Sequence, residues 1–293
     1  MDNHRIHLHY FDSTTSTMST DTNIKNHTFR DYTKASIDEN IRNTYKLART
    51  HQNIAHVENM HQTYLRFQHK MHIHDVFDKL ATFVDISDPD ITMPNFYHGL
   101  QTAESIRMDG HPEWLQLVGL IHDVGKIMYL WGCDDHGTTI EKQWGIVGDT
   151  FVVGCALPET IVYPEYNALH PDKDHPDYCT KHGIYKPHCG LDNVLCSWGH
   201  DEYLYQVLKH NKCPLPEQAL YIIRFHSLYA HHRERSYNHL MDKKDHDMLH
   251  WLRLFNKYDL YTKTNDESAI NENTRKYYDT LVDKYLNGGV LWF

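Results

Sequence analysis

The chain has 293 residues, of which 40% are hydrophobic, 12% aromatic and 23% charged. This composition is typical of a folded globular protein, and it excludes a disulfide-stapled mini-protein, a disordered chain and a fibrous repeat. The 29 lysines and arginines against 39 aspartates and glutamates give a net charge of -10, which opposes nucleic acid or an anionic membrane surface as the main partner.

The cysteines and the N-terminal residues together predict a protein of the cytoplasm. None of the six cysteines forms a C-x-x-C pair, so reduced thiols are the simplest interpretation. The N-terminus lacks the apolar stretch of a secretory signal, and no apolar run approaches the length of a membrane span. The 26 histidines are unusually many, and histidine is the commonest metal ligand, although so wide a scatter also fits compositional bias.

The predicted elements, taken from the N-terminus onward, are mostly helices. Residues 1–28 have no sustained apolar period and predict a poorly ordered tail. Beyond the tail, apolar residues at helical spacing predict helices near 37–45, 54–64, 75–83, 98–107, 113–122, 200–210, 216–228 and 245–260.

Strand signals are few. Only residues 144–154 are β-branched and glycine-punctuated enough to predict a small hairpin. Residues 155–190 contain five prolines and predict a long irregular excursion over the surface. The sequence therefore predicts an all-α fold with at most a small β-hairpin, in which residues 29–293 form a single domain.

The most informative segment is an apolar helix that ends in His122 and Asp123, followed by Gly125 and Lys126. An unpaired carboxylate at the edge of a buried surface is costly, so Asp123 needs a neutralising partner. A metal ion bound by both adjacent residues would neutralise it. The alternative is that His122 only hydrogen-bonds Asp123 or a backbone carbonyl, which is the more frequent outcome for a His-Asp dipeptide taken alone.

Four other residues make a shared metal site the stronger hypothesis. His226 and Asp259 lie on the apolar faces of their predicted helices, so both side chains point inward. His98 and His200 each stand at the start of a predicted helix, where surface and capping roles are the common alternatives. A buried histidine alone is more often hydrogen-bonded than metal-bound, but a second buried carboxylate again requires a cation.

The order of these residues resembles the H…HD…D metal pattern of the HD-domain superfamily, with His98, His122-Asp123 and Asp259 in the three places. Further segments are similar to those of the myo-inositol oxygenase family, namely 85–90, 94–104, 117–126, 147–151, 185–192, 197–206, 223–227 and 255–263. The resemblance extends from about Phe29 to the C-terminus and is highly specific.

The resemblance implies a mainly helical HD-type fold around two iron ions in the mixed-valent Fe(II)/Fe(III) state. It implies that these irons convert myo-inositol and O₂ to D-glucuronate, through an iron-bound superoxo species that abstracts hydrogen from C1 of the chelated substrate. One iron would be held by His98, His122, Asp123 and Asp259. The second would be held by His200 and His226, with Asp123 as the bridge.

The same resemblance implies the residues that handle the substrate. Lys126 and Asp123 would be catalytic. The implied substrate-binding residues are Arg30, Asp85, Lys126, Gly148, Ser227 and Lys263. Besides myo-inositol and O₂ we expect neither a nucleic-acid nor a membrane partner, and we expect the protein to be a monomer.

Two features depart from the resemblance, and two other functions stay open. Residues 132–143 form a polar segment longer than the family's usual connection, and Asp201 makes a second His-Asp pair. We interpret Asp201 as a carboxylate that supports the metal ligands or the helix start. The open alternatives are an HD-type phosphohydrolase, whose metals would activate water, and a non-catalytic metal-binding protein with affinity spread over many histidines, including His231 and His232.

Overall fold

The computed structural model describes residue 32 and residues 37–90, 93–261 and 272–293. Within these ranges the fold is mainly helical, as predicted, and contains ten α-helices: α1 (Glu39–His51), α2 (Ile54–Tyr64), α3 (Ile73–Leu80), α4 (Asn95–Met108), α5 (Glu113–Ile121), α6 (His200–His210), α7 (Glu217–Phe225), α8 (Tyr229–His232), α9 (Lys243–Tyr261) and α10 (Glu272–Tyr285). The predicted tail, residues 1–28, lies outside the described residues, and the domain boundaries stay a prediction.

The predicted helices agree closely in position with the described ones, but α8 and α10 were not predicted. Helix α6 begins and ends where the apolar period predicts, whereas α5 and α7 end earlier than predicted. Their early ends make His122 and His226 the C-cap residues. A 3₁₀-helix, Val124–Trp131, follows directly on α5 and carries the chain away from the helix end.

Helix α5 lies at the centre of the core, where it packs against α4, α7, α9 and α10. Residues 115–121 are all buried, as expected for a helix enclosed by other helices. Two glycines allow α4 and α5 to cross closely. A Cβ on Gly119 would lie 2.8 Å from Ala103 Cα, and a Cβ on Gly99 would lie 2.7 Å from the Leu120 carbonyl oxygen. The crossing brings the first turn of α4 next to the C-terminal end of α5.

The two described strands join segments that are distant in sequence. Strand β1 (Lys70–His72) pairs antiparallel with β2 (Val290–Trp292), with Met71 opposite Leu291. Leu291 and the C-terminal Phe293 are buried, so this pairing fixes the end of the chain to the connection between α2 and α3.

The predicted hairpin at 144–154 is wrong. This segment forms a single isolated bridge, between Val152 and Cys196, and several of its other backbone groups bond to distant parts of the chain. For example, the Ile146 carbonyl accepts from the backbone N–H of His200 at 3.0 Å. The β-branched residues of this segment are buried in the core. A high strand propensity largely indicates that a residue suits a buried surface, and it does not require that the segment pairs with another strand.

The predicted excursion at 155–190 is confirmed: it consists of turns and loops with one 3₁₀-helix, Pro164–Leu169. Among the described helices, none combines the length and the apolar character that a bilayer crossing requires.

The α4–α5 crossing gives a test of the packing. We expect Gly119→Ala to lower the free energy of unfolding by about 1–3 kcal/mol, because the new methyl group overlaps the α4 backbone. The better helix propensity of alanine offsets at most about 1 kcal/mol of this loss. Urea unfolding followed by circular dichroism measures the difference. Met108→Ala, at an exposed position of α4, is the matched control and should leave the midpoint unchanged. An unchanged or higher midpoint for Gly119→Ala would contradict this account of the crossing.

Candidate metal centre

The centre is built from the ends of α5 and α7, where two histidines use backbone carbonyls that the helices leave unpaired. His122 caps α5, and its Nδ1–H donates to the Gly119 carbonyl at 2.9 Å. His226 caps α7 in the same way and donates from Nδ1 to the Ile223 carbonyl at 3.0 Å. Because each Nδ1 carries the proton, each Nε2 keeps a lone pair that a metal can accept.

Three more elements bring the remaining donors to the same place. His200 is the first residue of α6, and its Nδ1–H donates to the Ile146 carbonyl at 2.6 Å. His98 lies in the first turn of α4, and Asp259 lies in the last turn of α9. All of these side chains are buried.

We call His98, His122, Asp123 and Asp259 the first donor group. Asp259 Oδ1 lies 2.9 Å from His98 Nε2 and 3.4 Å from His122 Nε2. Asp123 Oδ2 lies 3.4 Å from His122 Nε2. Two imidazole nitrogens and two carboxylate oxygens therefore surround one small volume.

We call Asp123, His200 and His226 the second donor group. Asp123 Oδ1 lies 3.0 Å from His200 Nε2 and 3.9 Å from His226 Nε2, and the two Nε2 atoms are 3.2 Å apart. Asp123 thus turns one carboxylate oxygen to each group. A carboxylate in this position can bridge two metal ions.

The electrostatics of the centre favour bound positive charge. Burial opposes ionisation of Asp123, but Lys126 and the surrounding histidines hold its pKa well below the usual range. Burial likewise opposes ionisation of Asp259, and His122 and His98 hold its pKa well below the usual range. Burial lowers the pKa of His200, yet the nearby Asp201 and Asp123 carboxylates outweigh it and raise this pKa to about 10. The negative potential of these carboxylates would be neutralised either by protons on the imidazoles or by metal ions bound between the donor groups.

The donor set fits a metal centre. Ligand atoms of His98, His122 and Asp123 lie within 4.8 Å of one another, and so do those of Asp123, His200 and His226. Imidazole nitrogens and carboxylate oxygens suit iron and manganese, and neither group contains a thiolate that would select a softer metal. In the neutral forms of His122, His200 and His226, the Nδ1 protons are donated to carbonyls and the Nε2 lone pairs face carboxylate oxygens, so a metal ion bound between these atoms would separate the acceptors.

Lys126 connects the centre to one wall of the cavity above it. Its Nζ donates to Asp123 Oδ2 at 3.0 Å, to Asp85 Oδ2 at 2.8 Å and to Asn95 Oδ1 at 2.7 Å, which uses all three ammonium protons. Burial opposes the charge of Lys126, but Asp123 and Asp85 raise its pKa above the usual value. Burial also opposes ionisation of Asp85, and Lys126 nevertheless lowers its pKa to about 2. The pair is therefore charged at neutral pH.

The cavity over the two donor groups has polar walls. It is lined by the donor residues and by Asp85, Ser87, Asp88, Met93, Asn95, Lys126, Gly148, Ser227 and Tyr229. Gly148 has a φ of +94°, a conformation that other residues adopt only with strain, and a Cβ here would lie 3.5 Å from the Tyr45 ring. Backbone, hydroxyl, amide and charged groups thus line a small space next to the metal ligands.

The long polar segment at 132–143 ends in a residue that holds this wall in place. The Gln143 side chain is buried, donates from Nε2 to the Val84 carbonyl at 3.0 Å and accepts from the backbone N–H of Ile86 at 3.2 Å. Gln143 therefore fixes the backbone on both sides of Asp85.

The structure brings together ten of the twelve predicted site residues: His98, His122, Asp123, His200, His226, Asp259, Asp85, Lys126, Gly148 and Ser227. Arg30 and Lys263 lie outside the described residues. Asn95, Tyr229 and Gln143 were missed by the sequence analysis. Tyr229 donates from its hydroxyl to Asp259 Oδ2 at 3.2 Å. Their only sequence signal is proximity to predicted ligands, which does not reveal which polar neighbour turns inward.

A family model described as "Myo-inositol oxygenase" matches residues 38–292. The chain belongs to the myo-inositol oxygenase family. A Danio rerio protein named inositol oxygenase is 46% identical over 268 residues, which are 90% of this chain and 93% of the relative. The Mus musculus protein of that name is 47% identical over 90% of both chains. Inositol oxygenase 1 of Arabidopsis thaliana is 48% identical over 215 residues, or 73% of this chain and 67% of the relative.

Membership in the myo-inositol oxygenase family identifies the protein as an oxygenase, as the resemblance of its segments predicts. The family also fits a metal-dependent reaction, and the two buried donor groups could hold the metal.

The shared carboxylate gives the first test of the centre. We expect Asp123→Asn to remove most bound metal from both groups, because the substitution deletes a negative charge and one of the two oxygen donors while keeping the side-chain volume. Metal analysis after loading with Fe(II) measures the content, and circular dichroism checks that the helices persist. Asp134→Asn, at an exposed carboxylate in the 132–143 segment, should bind as much metal as the unmodified protein. Full metal content in Asp123→Asn would show that Asp123 is not a bridge.

Proposed function

We propose that the protein converts myo-inositol and O₂ to D-glucuronate at a dinuclear iron centre. In this reaction O₂ takes up four electrons, and one carbon-carbon bond of the ring breaks. C1 becomes a carboxylate that contains one oxygen atom of O₂, the neighbouring carbon becomes an aldehyde, and the other oxygen atom leaves as water. The observation that carries the proposal is Asp123, which turns one oxygen to each donor group at the floor of a polar cavity.

The proposed iron ligands are the two donor groups. The first iron would be held by His98, His122, Asp123 and Asp259, and the second by His200, His226 and the shared Asp123. A mixed-valent Fe(II)/Fe(III) pair is the proposed state. Bound iron would supply the activation of O₂ and the polarisation of coordinated hydroxyls, which no side chain can provide.

The proposed substrate site lies in the cavity above the irons. Asp85, Lys126 and Ser227 would hydrogen-bond the hydroxyls of the cyclitol, and the open backbone at Gly148 would let the ring approach closely. Arg30 and Lys263, which the family resemblance adds to this set, complete the proposal. A neutral polyol has little apolar surface, so directional hydrogen bonds must provide most of its orientation.

Lys126 would orient the substrate and stabilise a deprotonated hydroxyl. Its three protons are directed to Asp123, Asp85 and Asn95. A substrate hydroxyl that enters between Lys126 and Asp85 can accept from the ammonium and donate to the carboxylate, so neither buried charge loses its partner. If that hydroxyl passes its proton to Asp85, the ammonium would stabilise the negative charge left on the oxygen, while Asp123 keeps Lys126 attached to the metal centre.

We also propose that the protein is cytoplasmic and monomeric. All six cysteines are unpaired, which supports a reducing compartment.

The decisive experiment is a product balance. We expect the protein, loaded with Fe(II) and a reductant, to consume O₂ and myo-inositol in equal amounts and to form an equal amount of D-glucuronate. An oxygen electrode and chromatography of the product measure the three quantities, and Asp123→Asn should be inactive. Release of phosphate from nucleotides without O₂ uptake would instead identify a phosphohydrolase. Metal binding without turnover of either substrate would favour a metal-binding protein.

Lys126 gives a separate test of the substrate site. We expect Lys126→Ala to lower kcat/KM for myo-inositol by about 100-fold or more, because one preorganised charged donor is lost beside the reacting hydroxyl. Metal analysis at saturating iron should still find both metals, since every proposed ligand remains. Lys257→Ala, at an exposed position of α9, is the control and should have unchanged kinetics. Unchanged kinetics in Lys126→Ala would remove Lys126 from the proposed site.

A further inference from the structure

We propose that Asn95 is a positioning residue of the reaction, which holds the Lys126 ammonium so that one of its three protons is directed into the cavity. The proposal rests on the proposed function, because it concerns the lysine that would contact the cyclitol. It adds a residue outside the set that the family resemblance implies. Asn95 is the first residue of α4, and it is buried in the wall of the cavity.

The orientation of the Asn95 amide follows from the chemistry of its partner. An ammonium group only donates hydrogen bonds, so the atom of Asn95 that faces Lys126 must be the carbonyl oxygen Oδ1 and not the amide nitrogen. Lys126 Nζ and Asn95 Oδ1 lie 2.7 Å apart, which is the shortest of the three contacts of this ammonium. Lys126 is only 4% exposed, so Asn95 supplies one of the three hydrogen bonds that the buried charge requires.

The three acceptors of Lys126 differ in their access to the cavity. The side chain of Asp85 is 21% exposed, against 7% for Asp123, and Asn95 is buried as well. A substrate hydroxyl that enters the cavity therefore meets the Asp85 side of the ammonium. Because the three protons of an ammonium have fixed tetrahedral directions, bonds to Asn95 and Asp123 leave the third proton directed at that hydroxyl. With Asp123 alone, the ammonium would rotate about the single remaining bond.

Asn95 is itself held at the start of α4. Its backbone N–H, which has no partner inside the helix, donates to the Phe83 carbonyl at 2.8 Å. Phe83 is buried and lies two residues before Asp85, so this bond ties the start of α4 to the segment that carries Asp85. His98 follows Asn95 by three residues and lies on the same face of α4. One helical turn thus sets the position of Lys126 relative to a proposed metal ligand.

The acceptor that Asn95 provides is neutral, whereas Asp85 and Asp123 are charged. A third carboxylate would repel negative charge on a substrate oxygen, but an amide satisfies the ammonium without this repulsion. The alternative is that Asn95 only fills the space between α4 and the 3₁₀-helix that carries Lys126. In that case its loss would lower the stability or the metal content of the protein, and its effect on turnover would not depend on Lys126.

The test is a double-mutant cycle in kcat/KM for myo-inositol, with each protein loaded with Fe(II) and the rate expressed per bound metal pair. We expect Asn95→Ala to lower kcat/KM by about 10-fold or more, because misplacement of a group beside the reacting oxygen is costly. In the Lys126→Ala background we expect Asn95→Ala to have no further effect, because a residue that acts through Lys126 cannot act without it.

Two controls accompany the cycle. Metal analysis at saturating Fe(II) should find the same content in Asn95→Ala as in the unmodified protein, since no proposed ligand is removed. Asn43→Ala, at an exposed asparagine of α1, should have unchanged kinetics.

Each outcome separates the Asn95 proposal from the proposed function. If the unmodified protein is active and the two losses multiply in the double variant, Asn95 does not act through Lys126, and only the positioning role is overturned. An unchanged kcat/KM in Asn95→Ala, or a loss explained entirely by lower metal content, would overturn it as well. If the unmodified protein does not turn over myo-inositol, the proposed function fails and the role of Asn95 fails with it.

If Asn95→Ala does not fold, a crystal structure of the unmodified protein with iron and myo-inositol, grown without O₂, decides the question. Lys126 Nζ bonded to Asn95 Oδ1, to Asp123 and to a substrate hydroxyl is the expected result. An ammonium that contacts the substrate after leaving Asn95 would overturn the proposal.

Discussion

The structure depends on the neutralisation of one buried carboxylate, Asp123. It lies between four imidazoles and Lys126, where an isolated charge would be very costly. Its position follows from the core: α5 carries it to the end of an enclosed helix, and Gly99 and Gly119 let α4 bring His98 alongside. Removal of either partner of a buried charge pair leaves the other uncompensated, so the core and the centre stabilise each other.

The sequence predicted the main parts of this arrangement for physical reasons. Apolar spacing places the helices, and the polar residues on their apolar faces, such as His226 and Asp259, must point inward and find partners. Segment similarity then assigned the family, which the comparisons confirm. The two buried clusters around Asp123 agree with the predicted bridge, although the role of each residue stays a prediction.

The features that could not be predicted arise from tertiary contacts. The prediction of a hairpin at 144–154 was wrong because this buried segment hydrogen-bonds to α6 through its backbone and does not form two paired strands. The helix ends at Ile121 and Phe225 were also missed, yet they decide which nitrogen of His122 and His226 is free. In each of these caps the histidine side chain donates to the backbone carbonyl three residues earlier. The helical periodicity of the sequence cannot reveal such a cap, because the apolar pattern continues past the end of the helix.

The same buried charges bear on the choice between a polyol and a phosphate ester as the substrate. Asp85 and Lys126 form a pair in the cavity, and Asp85 stays ionised at neutral pH because Lys126 lowers its pKa against the effect of burial. A phosphate could accept from Lys126 but would meet the negative charge of Asp85 at short range. A hydroxyl both donates and accepts, so it can serve both partners at once. A pair of opposite charges on one wall therefore favours a neutral, hydroxyl-rich substrate over the anionic substrate of a phosphohydrolase.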